Sequence, residues 1–215
     1  MPPLRPRPAR KQEGQYHHGD LRRAMLQAAV RTIDRHGVEA VTLRAVGASL
    51  GVSRTALYRH FQNKSSLLTA VAAEGFTTLR ELLLEAWKGG GRGLKAFAAM
   101  GRAYVRFAIE HPAHYRVMFG GFPIDDACEP ELKDSGTNAF MALVDALAAL
   151  QQAGLVRKDD VQRQAAFVWA TVHGISMLSI DRQLGPDPAD GSALVEYAIR
   201  MLMLGLGPPG VAEKT

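Results

Sequence analysis

Residues 42–64 read TLRAVGASLGVSRTALYRHFQNK. Thr42 is a good N-cap for a short helix in which Leu43, Val46 and Leu50 recur on one face. Gly51 stands where such a helix ends in a left-handed residue. Ser53 then caps a second short helix. Leu57 and Phe61, four apart, share its inner side, and Arg54, Thr55, Tyr58, Arg59 and His60 surround the rest. Cap, break and a short helix rich in hydrogen-bonding side chains describe a helix-turn-helix, whose second helix enters the DNA major groove. An ordinary helical hairpin with a solvated face is the plainer alternative. Val52, Leu57 and Phe61 are expected in the core, so replacing them should unfold the unit.

Outward from this stretch the chain reads as all-α. Upstream, Asp20 is expected to cap a helix ending at His36, with Leu21, Met25, Ala28, Ala29 and Ile33 as its apolar stripe and Gly37 just beyond. Downstream, Ser65 or Ser66 is expected to open a long helix through Trp87, which stops at the run Gly89-Gly90-Gly91-Arg92-Gly93. Helical patterns then cover residues 94–110, 112–119, 131–153, 159–184 and 192–206, and no strand alternation appears. The expected organisation is a basic flexible arm over 1–15, a three-helix DNA-binding unit over 16–64, a connecting helix over 65–88, a helical bundle over 94–207, and a tail over 208–215.

Charge follows the same division. The 215 residues carry a net charge of +5, but residues 1–64 hold 12 Lys/Arg against 4 Asp/Glu, so the remainder is mildly acidic. A basic front end on an acidic body fits a polyanion-binding module joined to a second function. In the Pro-rich arm, Arg5, Arg7, Arg10 and Lys11 suit phosphates or the minor groove; a merely solubilising tail is the alternative. Cys128 is the single cysteine, which excludes an intrachain disulfide and a Cys-based zinc site. His17-His18 is too small a set for a metal site, and no metal or cofactor is expected. No leader-like or membrane-spanning apolar run is present, so the expected location is cytoplasmic.

The stretch over 164–180, QAAFVWATVHGISMLSI, is apolar nearly all round. With the following helix (Leu194, Val195, Ala198, Ile199, Leu202, Met203, Leu206) it suggests a C2 four-helix interface with a second copy. Phe97, Met100, Tyr104, Phe107, Tyr115, Met118, Phe119, Phe140, Trp169, His173 and Met177 are candidates to line an apolar pocket between bundle helices. Each taken alone reads equally as core. His173 reads first as a neutral imidazole bonded to a carbonyl or hydroxyl, and second as a donor to a ligand. There is no Gly-rich phosphate loop, HExxH, Gly-x-Ser-x-Gly or cysteine with an evident base, so no enzyme is expected.

The segments YHHGDLRRAMLQAA, HGVEAVTLRAVGASLGVS and ALYRHFQNKSSLL, between Tyr16 and Leu68, resemble the DNA-binding domain of TetR-family transcriptional regulators. Trp169, His173 and Gly174 resemble the WHG signature of one effector domain of that family. Gly47 departs from the family's usual alanine, at a cost in helix propensity, and Arg54-Thr55-Ala56 departs from its usual small triplet. The resemblance implies a homodimeric regulator that binds a double-stranded DNA operator, a repressor released by a small, largely apolar effector. The alternative is an architectural or partner-regulated DNA-binding protein without an inducer. The residues expected to face DNA are Thr42, Arg44, Ser53, Arg54, Thr55, Ala56, Tyr58, Arg59, His60 and Lys64. Arg54, Thr55 and Ala56 would meet base edges, and Thr42, Tyr58, His60 and Lys64 would meet phosphates.

Overall fold

A computed structural model describes residues 18–122, 129–185 and 188–207. Among the described residues the secondary structure is helical throughout. The α-helices are α1 (His18–His36), α2 (Leu43–Leu50), α3 (Arg54–Tyr58), α4 (Lys64–Gly89), α5 (Leu94–Glu110), α6 (Pro112–Phe119), α7 (Glu129–Gln152), α8 (Val161–Ile180) and α9 (Pro188–Leu206), with a 3-10 turn at Val38–Ala40. The arm over 1–15 and the tail over 208–215 lie outside the described residues.

Several boundaries differ from the sequence reading for identifiable reasons. Helix α1 begins at His18, so Asp20 lies inside its first turn and is not its cap. Helix α4 is capped by Asn63, whose side chain accepts from Ser66 N at 2.7 Å while Ser66 Oγ accepts from Asn63 N at 3.2 Å. This reciprocal box makes Ser66 the third helical residue instead of the cap. Helix α3 is five residues long and ends at Tyr58. Phe61 therefore lies beyond the helix, held by its N–H donating to Leu57 O at 3.1 Å, and is as buried as Leu57. Helix α8 stops at Ile180, short of 184, and α9 starts at Pro188, ahead of 192.

Two hydrophobic cores form. The first joins Leu21, Met25, Ala29 and Ile33 of α1 to Val46 of α2, Leu57 of α3, and Leu67, Leu68 and Val71 of α4. The second gathers α5, α7, α8 and α9 around Leu79 and Leu83, which lie farther along the same α4. Helix α4 thus belongs to both, its face turning from one core to the other near Gly75. Helix α6 is shared in the same way, giving Ala113 and Val117 to the first core and Tyr115 to the second. At the seam, a Cβ placed on Gly75 would lie 2.5 Å from Met118 Sδ, so the small residue lets α6 press directly on α4.

Gly47 is explained by packing. It is buried, and a Cβ there would come within 2.2 Å of Leu57 Cδ1. The missing methyl sets how closely α2 approaches α3. Alanine would gain about 1 kcal/mol in helix propensity but would press its methyl on the tip of the buried Leu57 side chain, an overpacking cost of about 1–3 kcal/mol. Urea unfolding should show Gly47→Ala less stable than wild type by about 1 kcal/mol on that balance. Gly89→Ala, at a helical position with nothing nearby, should instead be more stable by about 0.5–1 kcal/mol.

Candidate DNA-reading surface and effector cavity

The helix-turn-helix is built by its caps. Thr42 Oγ1 accepts from Ala45 N at 3.0 Å and Ser53 Oγ from Ala56 N at 3.3 Å, each satisfying an N–H that the first helical turn leaves over. Between them Gly51, at φ 66°, takes the left-handed conformation that reverses the chain. Leu57 anchors α3 by its inner face. Its outer face then presents Ser53, Arg54, Thr55, Tyr58 and Arg59, all exposed, alongside exposed Thr42 and Arg44. Tyr58, at 51 % exposure, leaves an aromatic ring standing in solvent, which the isolated chain gains nothing from.

Three of the expected DNA-facing residues are placed differently from the rest. Ala56 is half-buried and packs against the first core, so its side chain offers less surface than Arg54 and Thr55 beside it. His60 is half-buried in the turn after α3. Lys64 donates to the Glu39 carbonyl at 3.3 Å and pairs with its carboxylate at 3.5 Å. That exposed pair is weak, so it competes little with a phosphate. Arg22, which sequence reasoning passed over, lies 5.4 Å above the Phe61 ring as a cation–π partner.

The second core encloses a cavity of about 350 Å³. Of the eleven pocket candidates, Phe97, Met100, Tyr104, Phe119, Phe140 and Trp169 line it. Phe107, Tyr115, Met118, His173 and Met177 do not. Phe107 and Tyr115 are fully buried, Met118 sits at the α4–α6 seam, and Met177 packs on the core from outside. Missed in the sequence were Phe76, Leu79 and Leu83 of α4 and Ile199, Leu202 and Met203 of α9. In the sequence these residues stand in ordinary apolar stripes, and no spacing marks a stripe that borders empty space.

From Trp169 and Tyr104 in the wall a chain of polar side chains runs back to Tyr115 and His173 behind it. Trp169 Nε1 donates to Tyr104 Oη at 3.0 Å. Tyr104 Oη is 3.1 Å from Tyr115 Oη, which lies 2.7 Å from His173 Nδ1. Burial pushes both phenols up, Tyr115 to about 12, so each stays a neutral hydroxyl. Burial also holds His173 below its ordinary value, leaving it neutral with a hydroxyl partner. At the seam, His114 Nε2 is 3.5 Å from Glu74, yet burial keeps its value lowered as well.

Among the described residues no group of three or more potential metal ligands assembles, and no helix is long and apolar enough to cross a membrane. Two helices carry apolar residues outward. On α8 Phe167 is 60 % exposed, and on α9 Tyr197 and Met201 are 53 % and 48 % exposed.

Both histidines are protonated more readily in the unfolded chain than in the folded one. Their stabilising contribution is complete above about pH 6.5, and falls away as pH drops below it, because the unfolded state then takes up the protons. Thermal melts between about pH 7.5 and 5.5 should show wild type losing stability. His173→Gln, which keeps a hydrogen-bonding group but does not titrate, should lose less over the same range.

Comparison with known proteins places this architecture. Residues 25–71 match the model of bacterial regulatory proteins of the tetR family, and residues 97–202 that of the tetracyclin repressor-like C-terminal domain. An uncharacterized HTH-type transcriptional regulator of Mycobacterium tuberculosis, Rv0681, is 25 % identical over 189 residues, which cover 86 % of this chain and 81 % of that one. YobS of Bacillus subtilis, also an uncharacterized HTH-type transcriptional regulator, is 29 % identical over 97 residues, 45 % of this chain and 50 % of its own. The first curated relatives are thus matched over about half their length. A solved protein of unknown function from Rhodococcus sp. RHA1 is 32 % identical with a TM-score of 0.80, covering 91 % of this chain and all of that one. PfmR of Thermus thermophilus, a TetR-family regulator, shares the fold at 19 % identity and a TM-score of 0.69, over 86 % of this chain and 99 % of its own. With both of its domains matched by family models in their family order, the chain belongs to the TetR family of transcriptional regulators.

Proposed function

We propose that this regulator is a homodimeric repressor that binds a DNA operator and is released by a small, largely apolar molecule. The observation that carries the reading is the cavity, because its wall includes Phe76, Leu79 and Leu83 of α4, the helix whose first turns build the DNA-binding core. A molecule that fits only a different spacing of these helices favours a different setting of α4. It weakens operator binding by its differential affinity for the two settings. The outward Phe167, Tyr197 and Met201 on α8 and α9 support pairing of two copies through these helices. Such a dimer must hold its α3 helices about 34 Å apart to engage successive major grooves. A protein with this role works in the cytoplasm, where the operator is.

In this reading Arg54 meets guanine N7 and O6 and the Thr55 methyl meets thymine. Thr42, Arg44, Ser53, Tyr58, Arg59 and His60 fix register on the phosphates, joined by Lys64 once it exchanges Glu39 for a phosphate. Ala56 supports α3 from its half-buried side and adds little readout.

Selection of random duplexes by the purified protein at fixed salt should recover a palindrome with half-sites one helical turn apart. Uniform weak binding with no motif would overturn the operator reading. On the recovered site, Arg54→Ala should cost about 1–3 kcal/mol and relax preference at one base pair. Lys64→Ala should weaken all sequences alike and reduce the salt slope by about one charge. Equal weakening of all sequences by Arg54→Ala would contradict its role at a base edge.

A further inference from the structure

We propose that the cavity selects an uncharged molecule, mostly hydrocarbon, that carries one oxygen function of the alcohol or carbonyl type, and that this oxygen docks on the Tyr104 hydroxyl. The proposal rests on the effector reading above and names the chemistry of its ligand.

The wall excludes charge. Among the described residues that line it, none is Lys, Arg, His, Asp or Glu. A carboxylate or ammonium moved there from water would find no counter-charge, and apolar contact does not compensate that loss. The wall is nevertheless not uniformly apolar. Among the described lining residues, Tyr104 and Trp169 are the two with polar side-chain atoms. Trp169 has a single N–H, and it is already given to Tyr104 at 3.0 Å. Tyr104 Oη meets Tyr115 Oη at 3.1 Å and, more loosely, His173 Nδ1 at 3.4 Å, so after Trp169 and Tyr115 one site of the hydroxyl, held only by that long contact, is left for an occupant.

What Tyr104 offers is set from behind. If His173 Nδ1 is bare, Tyr115 donates to it across 2.7 Å, Tyr104 donates to Tyr115, and a lone pair of Tyr104 remains for a ligand hydroxyl. If Nδ1 carries the proton, it donates to Tyr115, Tyr115 donates to Tyr104, and the Tyr104 proton remains for a ligand carbonyl. Neutral imidazole supplies both tautomers. His173 and Tyr115 are thus positioning residues, acting on the ligand through Tyr104, and the same corner satisfies a donor or an acceptor.

The test uses the full chain and four eight-carbon probes, octane, 1-octanol, 2-octanone and octanoate, in competition with a hydrophobic fluorescent dye near pH 7.5. Octanol and octanone should bind about two- to tenfold more tightly than octane, the worth of one net hydrogen bond. Octanoate should bind more weakly than any of them. Tyr104→Phe combined with Trp169→Phe, which removes the N–H that loss of the Tyr104 acceptor would free, should erase the advantage of the oxygenated probes over octane. Tyr115→Phe cuts the relay and leaves the Tyr104 proton only the long 3.4 Å contact with His173 Nδ1, weaker than the bond a ligand carbonyl would accept. It should therefore shift preference from octanol toward octanone, a change of ratio that a merely loosened wall would not produce. Octanoate binding as tightly as octanol, or the double variant preserving the ranking, would overturn the proposal. Failure of all four probes to bind would overturn the effector reading along with it. The predicted ranking, with operator affinity unmoved by any probe, would uphold the ligand chemistry and remove the inducer role.

Discussion

The structure depends on one helix serving two cores. Helix α4, with 26 residues, is about 39 Å long at 1.5 Å per residue. Its first turns bury Leu67, Leu68 and Val71 against the helix-turn-helix, and its later turns bury Leu79 and Leu83 beside the cavity. A continuous hydrogen-bonded helix does not absorb a displacement within itself. Whatever moves the cavity wall must therefore either repack the seam or move the three helices that carry Arg54 and Thr55.

The seam favours the second route. Phe76 and Phe119 meet edge to face at 5.4 Å on the cavity wall. Their chain neighbours, Gly75 and Met118, are in the tight contact that a Cβ would forbid. Helix α6 is tied on two sides, by Ala113 and Val117 to the DNA-binding core and by Tyr115 to the polar chain behind the cavity. A ligand that displaces Phe119 or Phe76 thus acts on the residues adjacent to the closest approach between α4 and α6. A contact as close as that between Gly75 and Met118 passes on small shifts, because close-packed side chains have little slack to absorb them.

The helix-turn-helix was legible because its signals are local. Thr42, Gly51 and Ser53 act on the backbone within three residues of themselves, and Leu57 has one apolar face to satisfy. The length of α3 was not legible, since Phe61 is buried whether or not the helix continues to it. Gly47 reads as a defect in propensity until Leu57 is seen against it. The cavity was half legible for a deeper reason. Aromatic and methionine side chains announce a large apolar interior, but a cavity is space left between helices from distant parts of the chain. Phe97 and Phe107 look alike in sequence, yet one borders that space and the other is packed on all sides. His173 was readable as a neutral imidazole with a hydroxyl partner, while the identity of that partner, 58 residues away, was not.

Thermodynamic reciprocity tests the central claim, that cavity and DNA-reading surface are coupled through α4. The measurement is the affinity of 1-octanol for the protein, free and saturated with its selected operator, set beside the operator affinity with and without 1-octanol. Coupling predicts that the operator weakens the ligand by the same factor, about five- to 150-fold, by which the ligand weakens the operator. Ligand affinity unchanged by the operator, with both molecules bound at once, would contradict it.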